Sequence, residues 1–389
     1  MDRMRWSGTP VEQRGNFRPP FCPNPRCPEH HRTSPGFRWL RWGSFSTRRR
    51  SSIPRFRCRR CGRTFSRQTF SVSYYLKRPE LIRPVAAGLV AGSAHRQMAR
   101  SVSCAPSTVS RLLARLGRHA MLLQARALGE LRGRLAEAVV LDHFETFEYT
   151  QDYPFGIATA VGAVSWFLYG LDPAPHGRSG RLSEPQRRRL RGRPGRSRWG
   201  GYLGSTRRVL DSLLDPGRPA GSLRILGDGH RAYDRAVRGH PEASRIRLER
   251  YPNPRRCAKG SARSPEGGVR DAAMFPADLL HKIFRHSLAH HRRETIAFGR
   301  RLNAVMERMA LTAVWRNFVK RRTERWSGSG TPAMAVGLTG RRWGWKRVFA
   351  RRLFFDREEV VEPWGVLYRR EWRTPLLASN TRHALRRAF

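Results

Sequence analysis

The chain has 389 residues, too many for one ordinary domain, and carries 77 Lys and Arg against 29 Asp and Glu, a formal charge of +48. Cations in such excess make a polyanion, nucleic acid before any other, the expected partner, because binding phosphates releases condensed counterions. The opening residues, MDRMRWSGTPVEQRGNF, hold no apolar run of a secretory leader. The longest uncharged stretch, Phe155 to Leu171, sits at the lower limit for a membrane span and contains Gly, Ser and Thr, so a cytoplasmic, nucleoid-associated protein without a membrane partner is expected.

Residues 1–20 read as a flexible start, and 21–78 as a small β module rich in Arg, aromatics and Cys. Cys22 and Cys27 stand in FCPNPRC, and Cys58 and Cys61 in FRCRRCG, two close pairs flanking two aromatic, strand-like segments. That is the sequence form of a zinc ribbon, in which two turns each supply two thiolates to a tetrahedral Zn2+ and stabilise a fold too small for a core of its own. The first pair is spaced more loosely than usual, and His30 or His31 is an alternative to one of its thiolates. Cys104 and Cys257 have no partner nearby and read as free buried cysteines.

Residues 79–130 read as an all-α module. GSAHRQMARSVSCAPSTVSRLLARLGRH divides into a short helix from Ser93 to about Val102, a turn through Ser107, and a longer helix from Thr108. Ser93 and Ser107 are the expected N-caps. Val109, Leu112, Leu113 and Leu116 form an apolar face, which leaves Ser107, Thr108, Ser110, Arg111 and Arg115 to meet a DNA major groove in a helix-turn-helix. An ordinary three-helix packing unit would show the same pattern.

Residues 136–326 read as an α/β domain with a mixed sheet. The apolar strand EAVVLDHFETF is expected to end at Asp142, with Glu145 and Glu148 as alternatives, and two uncharged strands follow between Phe155 and Leu171. After an Arg-rich insertion near 175–200 come a helix carrying Val209, Leu210, Leu213 and Leu214, a second apolar strand running into Asp228, and the strand SRIRLE, Ser244 to Glu249. A long helical region from about Pro276 to Arg325 carries Glu294, with Asp271 and Asp278 as rivals for a third acid. Acids at the ends of adjacent strands converge, and a helix beside them adds a third. Such a cluster repels itself unless cations occupy it, so the expected fold is ribonuclease-H-like, with Mg2+ or Mn2+ held by Asp142, Asp228 and Glu294 for phosphoryl transfer. His281, His286, His290 and His291 show no pairing of facing ligands and read as a basic solvated or phosphate-facing surface. Residues 327–389 read as a flexible connection, SGSGTPAMAVGL, followed by a basic, aromatic tail of underived role.

Taken together, FCPNPRCPEH, FRCRRCGRTFSRQTFS, the helix-turn-helix segment, LDHFETFEY and HSLAHHRRETIAFGRRLNAVMERM resemble bacterial insertion-sequence transposases with an N-terminal zinc ribbon, over about Phe21 to Leu338. The resemblance implies a DDE recombinase that binds the inverted terminal repeats of its element and joins cut ends to target DNA. It would act as a homodimer or higher oligomer on double-stranded DNA. Cys22, Cys27, Cys58 and Cys61 would hold zinc, and Asp142, Asp228 and Glu294, the last within RRETIAF, would be the catalytic acids. Two other functions fit the composition: a DNA-binding regulator or inactive transposase derivative, tested by whether Asp142 and Asp228 are needed, and an RNA-binding protein, tested by preference for structured RNA over a duplex end.

Overall fold

The computed structural model describes residues 17–31, 36–47, 50–178, 180–191, 199–214, 222–254, 261–326, 328–374 and 377. Most of the expected flexible start, part of the Arg-rich insertion, Cys257 and the last residues of the tail lie outside them. Among the described residues no helix is long and apolar enough to cross a membrane. The architecture is mixed α/β.

Near the start, β1 (Trp39–Thr47), β2 (Arg50–Cys58) and β3 (Thr64–Ser66) form an antiparallel three-stranded sheet. Phe56 pairs with Phe65 across the β2–β3 ladder, and the two rings stack at 6.0 Å between centroids. The module's core is small: Cys22, Cys27, Phe37, Phe56, Cys58 and Phe65.

The helical module is α1 (Ile82–Val90), α2 (His95–Ser101) and α3 (Pro106–Leu131). Both caps differ by one or two residues from expectation. Ala94 precedes α2, with Gln97 reaching back to accept its N–H at 2.8 Å, and Ala105 precedes α3, whose Pro106 occupies a first-turn position where no N–H is required. From Leu112 to Leu123 every residue of α3 is buried, so the helix is enclosed on all sides.

β4 (Val139–Phe147), β5 (Pro154–Gly162) and β6 (Leu168–Pro175) form an antiparallel meander; α4 (Glu184–Leu190) and α5 (Gly201–Leu213) lead to β7 (Leu223–Gly227), and α6 (Arg231–Arg238) to β8 (Ile246–Arg250). The sheet order is β6-β5-β4-β7-β8, with β4–β7 and β7–β8 parallel. Strand side chains alternate between faces. Val140 and Leu226 therefore meet Met274 and Ala277 of α7 (Pro265–Ser287), while Val139, Leu141, Leu223 and Ile225 join Val209, Leu210 and Tyr233 on the α5–α6 side. Burial on both faces explains why β4 begins as an unbroken apolar run, Val139 to Leu141.

The helical module and the sheet are not separately packed. One apolar core runs from Val72 to Trp372, centred on the contact of α3 with α8 (Leu302–Val314). The two helices come into close contact at Gly117, where a Cβ would lie 2.4 Å from the Glu307 carbonyl oxygen. Gly117→Ala is expected to force the helices apart and cost about 1–3 kcal/mol. Chemical denaturation checks this, and an unchanged midpoint would refute the close contact.

Two segments differ from expectation for the same reason. The 327–338 stretch is no loose connection: Ser329, Thr331, Ala333 and Leu338 are buried around α9 (Pro332–Ala335), Ser327 alone lying outside the described residues. The tail beyond it completes the core through α10 (Trp345–Val348) and α11 (Trp364–Tyr368). Trp343 stacks on Phe318 at 4.6 Å, Asn303 Nδ2 donates to the Trp372 carbonyl at 2.8 Å, and Phe354 enters an aromatic group with Phe21, His30 and Phe70 of the cysteine module. Aromatic area buried at a distance in sequence leaves no periodic signal.

Candidate functional site

The four cysteines expected to act together do converge. Their Sγ atoms all lie within 4.8 Å of one another, with Cys22–Cys61 at 3.6 Å and Cys27–Cys58 at 3.9 Å. Four thiolates bound to zinc at about 2.3 Å stand about 3.8 Å apart, so the set could bind a metal such as zinc with small side-chain shifts. Burial pushes the Cys22 and Cys27 thiols up. At Cys61 burial acts the same way, but hydrogen bonds from the Arg63 backbone, Asn24 and the neighbouring thiols outweigh it and bring the group down to about 7. His30 takes another part: its Nδ1–H donates to the Cys22 carbonyl at 2.7 Å, shaping the turn that presents the first thiol pair. Cys104, expected to be buried, is half-exposed beside the α2–α3 turn.

The second cluster follows from strand register. The parallel β4–β7 ladder ends at Leu141 opposite Gly227, so Asp142 and Asp228 are the next residues on neighbouring strands. Asp142 does not end its strand, because β5 continues the pairing from Thr159 down to Pro154 against residues 142–147. Burial, then the Asp228 and Asp278 carboxylates, push the Asp142 carboxyl up to about 7 against the opposing His143 N–H and Arg270. Asp278 comes from α7, as does His281, whose Nδ1 stands 3.6 Å from Asp142 Oδ2.

The protonation of His281 can be read from its neighbours. Thr159 Oγ1 donates to the Asp142 carbonyl at 3.0 Å, so it accepts from His281 Nε2 at 2.9 Å; the proton is on Nε2 and the Nδ1 lone pair faces Asp142. Burial holds this imidazole neutral, with its pKa lowered to about 3. Carboxylate oxygens and a neutral imidazole nitrogen are groups that divalent cations take as ligands, while among the described residues only the four thiols stand close enough together to share one ion as they are. On the opposite face, His143 bonds Tyr233 Oη at 2.9 Å and Ser205 Oγ at 2.8 Å. Burial, with Asp142 and Asp228 nearby, holds the Tyr233 phenol protonated.

Glu294 is not on a helix. The helical region read across 276–325 breaks after Ser287, resumes only at Leu302, and places Glu294 in an exposed turn with φ +55°. The charges that act most on Asp142 come from Asp228, Asp278 and Arg270. The histidine group also differs from expectation: His290 and His291 are buried and held neutral, and only His281 approaches an acid. Asp278 and His281 stand three apart, hence on one helical face, a spacing that could have marked them in the sequence.

In the helical module, Ser107, Ser110 and Arg111 are exposed and Thr108 half-buried at the start of α3. Ser110 Oγ bonds His95 Nδ1 at 3.0 Å, bracing α2 against α3. Arg115 faces inward instead, donating from Nη1 to the Val72 and Tyr74 carbonyls at 2.9 and 2.7 Å, so it does not belong to an outward DNA-reading face. Comparison with protein-family models, curated proteins and solved structures gives no match for this chain.

Proposed function

We propose that the chain is a DNA strand-transfer enzyme, an insertion-sequence transposase with a ribonuclease-H-like catalytic domain. The observation that carries this reading is the placement of Asp142 and Asp228 side by side on central parallel strands of the β6-β5-β4-β7-β8 sheet, with Asp278 and His281 brought over them by α7. Burial and the two neighbouring carboxylates raise the proton affinity of Asp142, and such crowding of negative charge is what a divalent cation would relieve. Asp142, Asp228 and Asp278 would hold Mg2+ or Mn2+, with His281 beside them. Bound there, the metal would supply charge stabilisation at phosphorus and activation of a water or a DNA 3′-hydroxyl. This reading moves the third position from Glu294 to α7.

The remaining parts fit a duplex partner. The cysteine module, as a zinc ribbon, and the exposed start of α3, with Ser107, Thr108, Ser110 and Arg111, would recognise terminal repeats, and the excess of arginine would hold flanking phosphates. Joining two ends would require a dimer or larger assembly.

The test is cleavage and joining of a labelled duplex bearing the element's own end, with Mg2+ or Mn2+. Asp228→Asn and Asp278→Asn are each expected to reduce joining by a factor on the order of 10³ or more while duplex binding persists, since a metal's contribution of several kcal/mol is lost. Glu294→Gln is expected to stay near the native rate. Loss of joining in Glu294→Gln with Asp278→Asn active would return the third position to Glu294. Native protein that binds the end but never joins it would make the chain a DNA-binding regulator.

A further inference from the structure

The segment that suggested a third acid, RRETIAFGRR from Arg292 to Arg301, is built as a presented loop. Both sides are pinned. Thr295 Oγ1 donates to the Ala289 carbonyl at 2.7 Å and accepts from Ala297 N–H at 3.0 Å. The Gly299 carbonyl accepts from Tyr149 N–H at 2.8 Å, and Phe298 lies against Phe147 at 6.3 Å. Gly299 sits so close to Val305 that a Cβ would stand 2.3 Å from its Cγ2.

Between these anchors Ile296 is 99% exposed, more than any other large apolar side chain described. Arg292, Arg293 and Glu294 before it and Arg300 after it in the chain are exposed. Single apolar residues on a surface are ordinary. A fully bared isoleucine on a pinned loop, with exposed arginines before and after it in the chain, is a different arrangement, because folding gains nothing from the side chain while the loop is ordered around it. Minor-groove and architectural DNA-binding proteins use this combination: an apolar wedge enters a base step while cations hold the adjoining phosphates.

The loop's position relates it to the acids. Arg285 donates from Nη1 to the His291 carbonyl at 3.0 Å and from Nη2 to the Glu145 carbonyl at 2.9 Å, clipping the loop's entrance to β4 three residues beyond Asp142. At about 3.3 Å per strand residue, Glu145 and Phe147 lie roughly 10 and 17 Å along β4 from Asp142. At about 3.4 Å per base pair, that is roughly three to five base-pair steps. We infer that Ile296 is a wedge that unstacks a duplex base step a few pairs from the phosphate at Asp142 and Asp228, with Arg292, Arg293 and Arg300 on the flanking phosphates; the inference rests on the strand-transfer reading above.

The test uses short duplexes carrying 2-aminopurine at successive positions, titrated at low salt with native protein, Ile296→Ala and Ile296→Phe. Native protein is expected to raise 2-aminopurine emission several-fold on binding. Ile296→Ala, a change at a side chain that packs on nothing, is expected to bind within a few-fold of native yet lose the rise, and Ile296→Phe to restore it. Native binding with a flat signal, or an undiminished rise from Ile296→Ala, overturns the wedge and leaves the strand-transfer reading standing. Absence of duplex binding by the native chain overturns that reading, and the wedge with it.

Discussion

Cys58→Ser, or stripping of bound metal by a chelator, is expected to unfold residues 17–70 while the core from Val72 to Trp372 stays folded. Among the described residues of the N-terminal sheet module, Phe37, Phe56 and Phe65 are the buried aromatics of the core around its thiols. So small a core does not sustain a fold unaided. A structural zinc contributes about 10–16 kcal/mol of folding free energy, comparable to or above the roughly 5–15 kcal/mol stability of a whole domain. Trypsin would then cut after Arg41 and Arg57, and metal analysis would find about one zinc per native chain and none in the variant. Resistance of those two sites in a metal-free variant would show that the thiols are only packing groups.

Arg208→Met is expected to cost about 1–3 kcal/mol near pH 8, because it leaves a buried carboxyl without its hydrogen-bonding partner. Asp172 is 4% exposed and receives the Arg208 guanidinium through Nε at 3.1 Å and Nη2 at 2.6 Å. Burial pushes Asp172 up to about 7 even with that partner, and without it the carboxyl rises further. The sign follows. A carboxyl whose folded-state pKa exceeds its unfolded value of about 3.9 stabilises the fold only where it is protonated, and that contribution is lost as pH rises through the folded-state value. The defect of Arg208→Met relative to native protein should therefore shrink as pH falls from 8 towards 5. Denaturation midpoints of the pair across that range check it, and a pH-independent gap would mean that Asp172 finds another cation.

What could be read in advance was local. Two cysteine pairs, each inside a short turn, declare a ligand set because each half of the site is contiguous in sequence. Asp142 and Asp228 stood out because apolar strands run into them, and the parallel register then places them together. The α7 contribution was harder to see. The helical period of Phe284 and Leu288 passes into Leu302 and Val305 with no Pro between and no Gly before Gly299, so a break after Ser287 has no local marker. It is set by tertiary burial of His290 and His291. Arg115 misled for a similar reason: on a helix open to solvent its position is outward, but α3 is enclosed and the guanidinium ends on carbonyls 41 and 43 residues away.

The closing of one core by residues 343–372 also sets an order in time. A ribosome releases α3 long before Trp343, Val348, Leu353, Val366, Leu367 and Trp372, which pack into the same core. Until they emerge, the nascent chain exposes the apolar surface of α3 and α8, and Phe21 and Phe70 wait for Phe354. A product stopped short of these residues would be left as an incompletely packed target for chaperones and proteases, so the helical module would be fully packed only once nearly the whole described chain had been made.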